Sequence, residues 1–268
     1  MLPQIETTNS SPNNSTQIPT STLTSSNAST PTDTPTPSNT PATIVTPAPF
    51  TSYEDVINGC ITYADKLIAD MTNPNNYNVF NIPAAENAHD IVTGLRTLGN
   101  YYSDEHPGEP INPGELIKKH VGYAIKDLNG DGINEMILLS DNYFVIGVFT
   151  LVDNKPFLLD GFCNRYTCDI TGSGLLYIHS SSGAGDGYDK KCQILPNGKE
   201  ITEIERYGVS THISYIVENF VGKQFQYYKV VNGKAEIISE KEFIDFSNNN
   251  ELFFTENSSL KFIPLLGN

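Results

Sequence analysis

Between Asp127 and Glu135 the chain reads Asp-Leu-Asn-Gly-Asp-Gly-Ile-Asn-Glu. Side-chain oxygens fall on alternate residues, at Asp127, Asn129 and Asp131. A backbone that curls can aim such oxygens at one centre. Calcium (Ca2+) is a hard cation that takes about six to eight oxygens at roughly 2.3–2.6 Å. The sixth loop position must turn sharply, and Gly132 supplies a residue free of the Cβ clash. Ile133 then offers its carbonyl oxygen, and Glu135 can bind directly or through water. The expected ligand set is Asp127, Asn129, Asp131, Ile133 and Glu135. An ordinary turn is the competing reading, because Asn129-Gly130 and Asp131-Gly132 both suit tight turns. A plain turn has no need for acids at 127, 131 and 135 together, and these repel one another unless a cation intervenes.

Other arrangements of groups able to do chemistry are weaker. The stretch Ser181-Ser-Gly-Ala-Gly-Asp-Gly187 has backbone amides for an anion, and His179 and Asp186 flank a candidate ligand site. It lacks the Lys-Ser/Thr of a phosphate loop and runs toward a strand, so a glycine-rich connection between strands is the favoured reading. A secreted hydrolase of carbohydrate or peptide with its site near residues 179–188 is the alternative function. No Gly-x-Ser-x-Gly elbow supports it. The four cysteines, Cys60, Cys163, Cys168 and Cys192, form no CxxC pair, and the five histidines are scattered. Zinc is therefore not expected. Cys60 falls on an apolar helix face. Two of the other three are candidates for a disulfide in an oxidising compartment, with the pairing open.

The elements that must hold the loop follow from periodicity. Apolar residues from Val56 to Met71 recur at helical spacing and predict a helix over 53–71. A second helix is expected over 84–99, weakened by Gly94, and one helical turn near Glu115–Lys118. From Val121 the period becomes two. Met136–Leu139 is apolar throughout, as in a strand covered on both faces. Strands are expected over 143–151, 157–159, 175–179, 191–195, 201–205, 225–231 and 235–238. Asp153-Asn154, Asn197-Gly198 and Asn232-Gly233 mark hairpin turns. Ser239 caps a closing helix containing Phe243, Ile244 and Phe246. The expected fold class is α+β: two N-terminal helices, an antiparallel β-meander sheet and a short C-terminal helix.

With strands on both flanks and Leu138 at the twelfth position, where an EF-hand places its bidentate Glu, the loop is not an EF-hand. It resembles the shortened DxDxDGxxE loops of FG-GAP and VCBS-type calcium repeats. The wider pattern is similar to a domain common in uncharacterised surface lipoproteins of Gram-positive bacteria. It includes Tyr-Ala-x-x-Asp-x-Asn-Gly-Asp-Gly-x-x-Glu, Gly147–Thr150, Ser181–Ala184 and Ile238–Phe243, and the likeness covers about residues 52–247. The resemblance implies anchoring at a cell surface and supplies no activity.

Residues 1–50 carry 35 Ser, Thr, Pro or Asn and no aromatic before Phe50. Such a segment cannot bury enough apolar surface to offset the entropy of ordering, so a disordered stalk over 1–50 and one domain over 51–268 are expected. The net charge of −15 lies almost wholly after residue 50, since Glu6 and Asp33 are the only charges before it. This charge excludes nucleic acid and anionic membrane surfaces as partners. The partners expected are calcium and an unknown surface ligand or cell-envelope component. Membrane contact is expected only through an anchor not seen in this chain, as no Cys precedes Cys60 to carry a lipid. The N-terminus shows neither a basic n-region nor an apolar h-region, and the stalk favours a signal already removed and an extracellular or cell-surface home. The expected function is a calcium-binding surface domain of binding or structural role, with calcium stabilising a β-hairpin.

Overall fold

A computed structural model describes residues 53–69, 80–105, 112–183, 185–210, 226–250 and 257–267. The chain divides into two units, Met1–Ile44 and Val45–Asn268, and every described residue belongs to the second. The expected stalk lies outside the described residues.

Helix α1 (Tyr53–Ala69) buries Val56, Cys60, Ala64 and Leu67 of the stripe read from the sequence, and Tyr63 beside them. Helix α2 runs Ile91–Glu105. Its start is later than the expected 84 because Asp90 caps it, its carboxylate accepting from the Thr93 N–H at 2.9 Å. Residues ahead of it lie along a strand edge instead, with Ala85 N–H donating to the Leu158 carbonyl and Leu158 N–H to the Pro83 carbonyl. Helix α3 (Pro113–His120) is longer than the single turn expected. Asn112 caps it by accepting from the Gly114 N–H, and Pro113 sits at its first position, where no N–H is needed.

The strands are β1 (Val121–Lys126), β2 (Glu135–Ser140), β3 (Val145–Val152), β4 (Lys155–Gly161), β5 (Tyr166–Ile170), β6 (Leu176–Gly183), β7 (Asp186–Ile194), β8 (Ile201–Ser210), β9 (Gln226–Val231), β10 (Lys234–Ile238) and β11 (Ile263–Pro264). Helix α4 (Glu240–Asn250) follows β10, with the Ser239 hydroxyl accepting from the Glu242 N–H. The class is α+β. The single expected sheet is, however, two antiparallel sheets, ordered β11-β1-β2-β3-β4 and β10-β9-β8-β7-β6-β5. The described residues form four helices, not three. Alternation reports which face of a strand is apolar but not which sheet it joins. The chain changes sheets through Phe162–Arg165, and nothing in the local pattern marks that crossing.

The layers are helix, sheet, sheet. Strand β2 is buried at every residue. Met136 and Leu138 pack with Val56, Tyr63, Leu95 and Ile117 of the helices. Ile137 and Leu139 pack with Ile170, Leu176, Ile178 and Ile194 of the second sheet. The Asp153-Asn154 and Asn232-Gly233 turns carry positive φ at both residues, matching hairpin twist.

Gly174 sits at φ +86°, and a Cβ there would lie 2.0 Å from the Leu128 carbonyl oxygen. Backbone conformation and space both require glycine. Gly174→Ala is expected to destabilise the fold by about 3 kcal/mol, read as a lower urea midpoint with unchanged slope.

Candidate functional site

The loop Asp127–Asn134 joins β1 to β2, whose last paired residues are Lys126 and Glu135. Its side chains first satisfy its own backbone. Asp127 accepts from the N–H groups of Gly130 at 2.7 Å and Gly132 at 3.0 Å. Asn129 Oδ1 accepts from the Asp131 N–H, and Asp131 Oδ1 from the Ile133 N–H at 2.7 Å. Gly130 and Gly132 both have positive φ with open space around them. They are glycines for conformation, as the turn requires.

Contacts from three directions fix the loop. Leu128 is buried between the sheets. The Asn129 amide donates to Asp131 Oδ2 at 2.9 Å and to the Leu195 carbonyl at 3.2 Å. The Tyr53 hydroxyl of α1 donates to the Asn134 carbonyl at 3.0 Å. The turn after β7 comes close as well, since a Cβ on Gly198 would stand 3.8 Å from Asp131 Oδ2.

Glu135 differs from the other acids of the loop. It is 0 % exposed. Its Oε2 accepts from the Leu128 N–H at 2.7 Å, and Oε1 accepts from the Thr150 hydroxyl at 3.3 Å. Among the described residues no cation pairs with it. Lys126, its cross-strand neighbour, sends its ammonium to the Thr171 and Gly172 carbonyls instead. Burial pushes the Glu135 carboxyl above its ordinary range, the Asp131 charge adds to this, and the hydrogen bonds from Leu128 and Thr150 oppose it.

The donor chemistry of Asp127, Asn129, Asp131, the Ile133 carbonyl and Glu135 is all hard oxygen, which fits calcium. The arrangement is partly turned inward. Asp127, Asn129 and Asp131 hold loop N–H groups, and Glu135 faces the interior. Among the described residues no three His, Cys, Asp or Glu side chains gather as a metal-ligand group.

The 179–188 segment is a hairpin, not an open loop. His179 pairs across strands with Asp189, and its Nδ1 lies 2.5 Å from Asp189 Oδ1. Asp186 accepts from the Ser210 hydroxyl at 2.7 Å. The register places His179 and Asp186 on opposite faces of the sheet, so the structure does not bring these two together. All four cysteines are free thiols. Burial holds the Cys60 thiol up at about 12 and Cys192 at about 11, which makes both poor nucleophiles. No helix among the described residues is long and apolar enough to cross a membrane.

Sequence reasoning missed a second polar cluster. Asp160, 7 % exposed, accepts from the His89 N–H, the Gly161 N–H and the Tyr166 hydroxyl, the last at 2.7 Å. The Lys190 ammonium donates to the Tyr166 oxygen at 3.3 Å. These residues are spread from 89 to 190, and no local motif joins them.

No known family profile matches the chain, and no curated protein matches it. One solved structure, that of a Xanthomonas type IV secretion system related protein, is similar to part of it, with 14 % identity and a TM-score of 0.24. The likeness covers 44 % of this chain and 58 % of that one. So loose a superposition carries no argument about fold or function.

Asp169 gives the clearest pH dependence. Burial lifts its carboxyl from 3.8 to about 6, opposed by His179, while the Asn257 amide donates to it at 2.7 Å. A folded-state value above the unfolded one means the folded protein keeps a proton that the unfolded chain has lost. The stability this group contributes is therefore present at acid pH and falls as pH rises from about 4 to about 6. Asp169→Asn is expected to remove that part of the slope, at most about 3 kcal/mol, in melts across this range in EDTA. Glu135 acts with the same sign in both proteins, so their difference isolates Asp169.

Proposed function

We propose that the chain is an extracytoplasmic surface domain of binding or structural role, held on a Ser/Thr/Pro spacer, and that calcium stabilises its β1–β2 hairpin. The observation that carries the calcium reading is Glu135. An ionised carboxylate removed from water without a cation costs several kcal/mol, and Asp131 adds a second negative charge nearby. A divalent cation held by Asp127, Asn129, Asp131, the Ile133 carbonyl and Glu135 relieves both. Similarity to the DxDxDGxxE loops of calcium repeats supports the same ion. The spacer and the surface location rest on the composition of residues 1–50 and on the likeness to Gram-positive surface lipoproteins. The ion's role is stability by linkage: it binds the folded hairpin and not the unfolded chain.

The test is a thermal melt of the full chain in EDTA, in calcium and in magnesium. With affinity of about 10⁻⁴–10⁻³ M, roughly 10 mM calcium adds about 1.4–2.7 kcal/mol. That raises the melting temperature by about 4–8 °C, and magnesium does less. Asp131→Ala is expected to melt at the same temperature with and without calcium. A calcium-dependent rise surviving in that variant, or no rise in the parent protein, overturns the reading.

A further inference from the structure

The second polar cluster forms one wall of a cleft. It opens between the β4 edge of the first sheet, with the strap at residues 84–88, and strands β7 and β8 of the second. Its volume of about 630 Å³ lies in the range of small-ligand sites. The cleft is unrelated to the calcium loop reading and stands without it.

Its floor is stiff. Tyr166 is 8 % exposed. Its ring stacks on Phe162 at 5.4 Å and lies 4.2 Å from the His89 ring. Its hydroxyl proton is committed to Asp160, whose other partners are backbone and His89. Tyr166 therefore accepts from Lys190 and cannot turn away. The Lys190 ammonium lies 5.5 Å and 5.7 Å from the centres of the Tyr166 and Tyr188 rings, so its position is set by two aromatic faces and one hydroxyl.

Among the described residues, what Lys190 lacks is an anion. Lys118, Lys191, Lys229 and Arg206 each rest on a carboxylate. Among the described residues none lies within ion-pairing distance of Lys190, although the chain carries a net charge of −15. Two ammonium N–H groups remain for a ligand in the cleft. The surroundings then restrict its charge. Glu86, Glu200 and Glu203 also line the cleft. Arg206 already holds Oε2 of Glu203 through two nitrogens, leaving Oε1 open. A dianion such as phosphate would meet these acids, whereas a molecule with one carboxylate and one ammonium matches both parts. The thiol of Cys192 at the same wall is buried and protonated, so the cleft offers recognition without a nucleophile.

We infer that this cleft binds a small zwitterion, a free amino acid or short peptide, with its carboxylate on Lys190 and its ammonium toward Glu203 and the acidic rim.

Calorimetric titration of the full chain tests this with alanine, alanyl-alanine, its N-acetyl form, its C-terminal amide and inorganic phosphate, each to about 10 mM. Binding of alanine or alanyl-alanine is expected, weakened about tenfold or more in the amide and in Lys190→Met. Lys190→Arg keeps the charge and is expected to retain binding, so it serves as the folded comparison should Lys190→Met melt early. No heat from any zwitterion overturns the inference, as does equal binding by the amide or by Lys190→Met. Tighter binding of phosphate than of alanyl-alanine overturns the ligand class.

Discussion

Strand β2 has no solvent face, and the rest of the architecture follows from that. Its side chains at 136 and 138 belong to the helical layer and those at 137 and 139 to the layer between the sheets. A strand buried on both sides must be supplied with two apolar partners, so helices α1–α3 and the second sheet are both obligatory. It must also have every polar group at its ends satisfied from within. Glu135 is the first residue of β2, and it meets this requirement by holding the Leu128 N–H and the Thr150 hydroxyl. The loop before it is drawn over the strand end by these bonds, not left to project into water.

This explains what the sequence made legible. Runs of alternating or continuous apolar residues reported burial, and β2 was readable because its run has no polar interruption between Met136 and Leu139. Turns were readable where one residue type has a conformational monopoly, as at Asn232-Gly233. The α4 cap at Ser239 was readable because its partner lies three residues away. Each of these signals is local. The boundary of α2 was misread because Ala84–Ala88 has a helix-compatible composition, while its backbone pairs with Leu158 on β4, a residue more than seventy positions away. The division into two sheets was likewise hidden, since it depends on where the chain crosses at Phe162–Arg165.

The two candidate sites differ in the same way. The loop oxygens lie on one short segment with fixed spacing, so their types alone suggest an ion. Tyr166 and Lys190 are joined by register within the second sheet, and Asp160 reaches them only because the first sheet packs against it. Tyr166 opposes Ser180, Ser180 opposes Tyr188, and Lys190 stands two residues along the same face. A reader of the sequence sees a lysine in an amphipathic strand and assigns it to solvent. Register turns it inward, and the second sheet, wider than the first, carries that inner face past the apolar core.

Two of the groups without a charge partner among the described residues, Glu135 and Lys190, lie in the same layer. Glu135 shares the face of Ile137, which packs on the second sheet, and Lys190 shares the face of Cys192, which packs on the first. A layer holding an unpaired carboxylate and an unpaired ammonium could lower its energy by bringing them together or by replacing both with apolar groups of similar size. Neither has happened. Glu135 is tied to the β2 end by Leu128, and Lys190 is tied beside the β4 edge by Tyr166. Local rules of pairing and satisfaction are broken in folded proteins chiefly where a site needs them broken. Two such breaks of opposite sign, each held rigidly by hydrogen bonds that do not neutralise it, are the common physical ground for the two proposals, a cation at one place and an anionic group at the other.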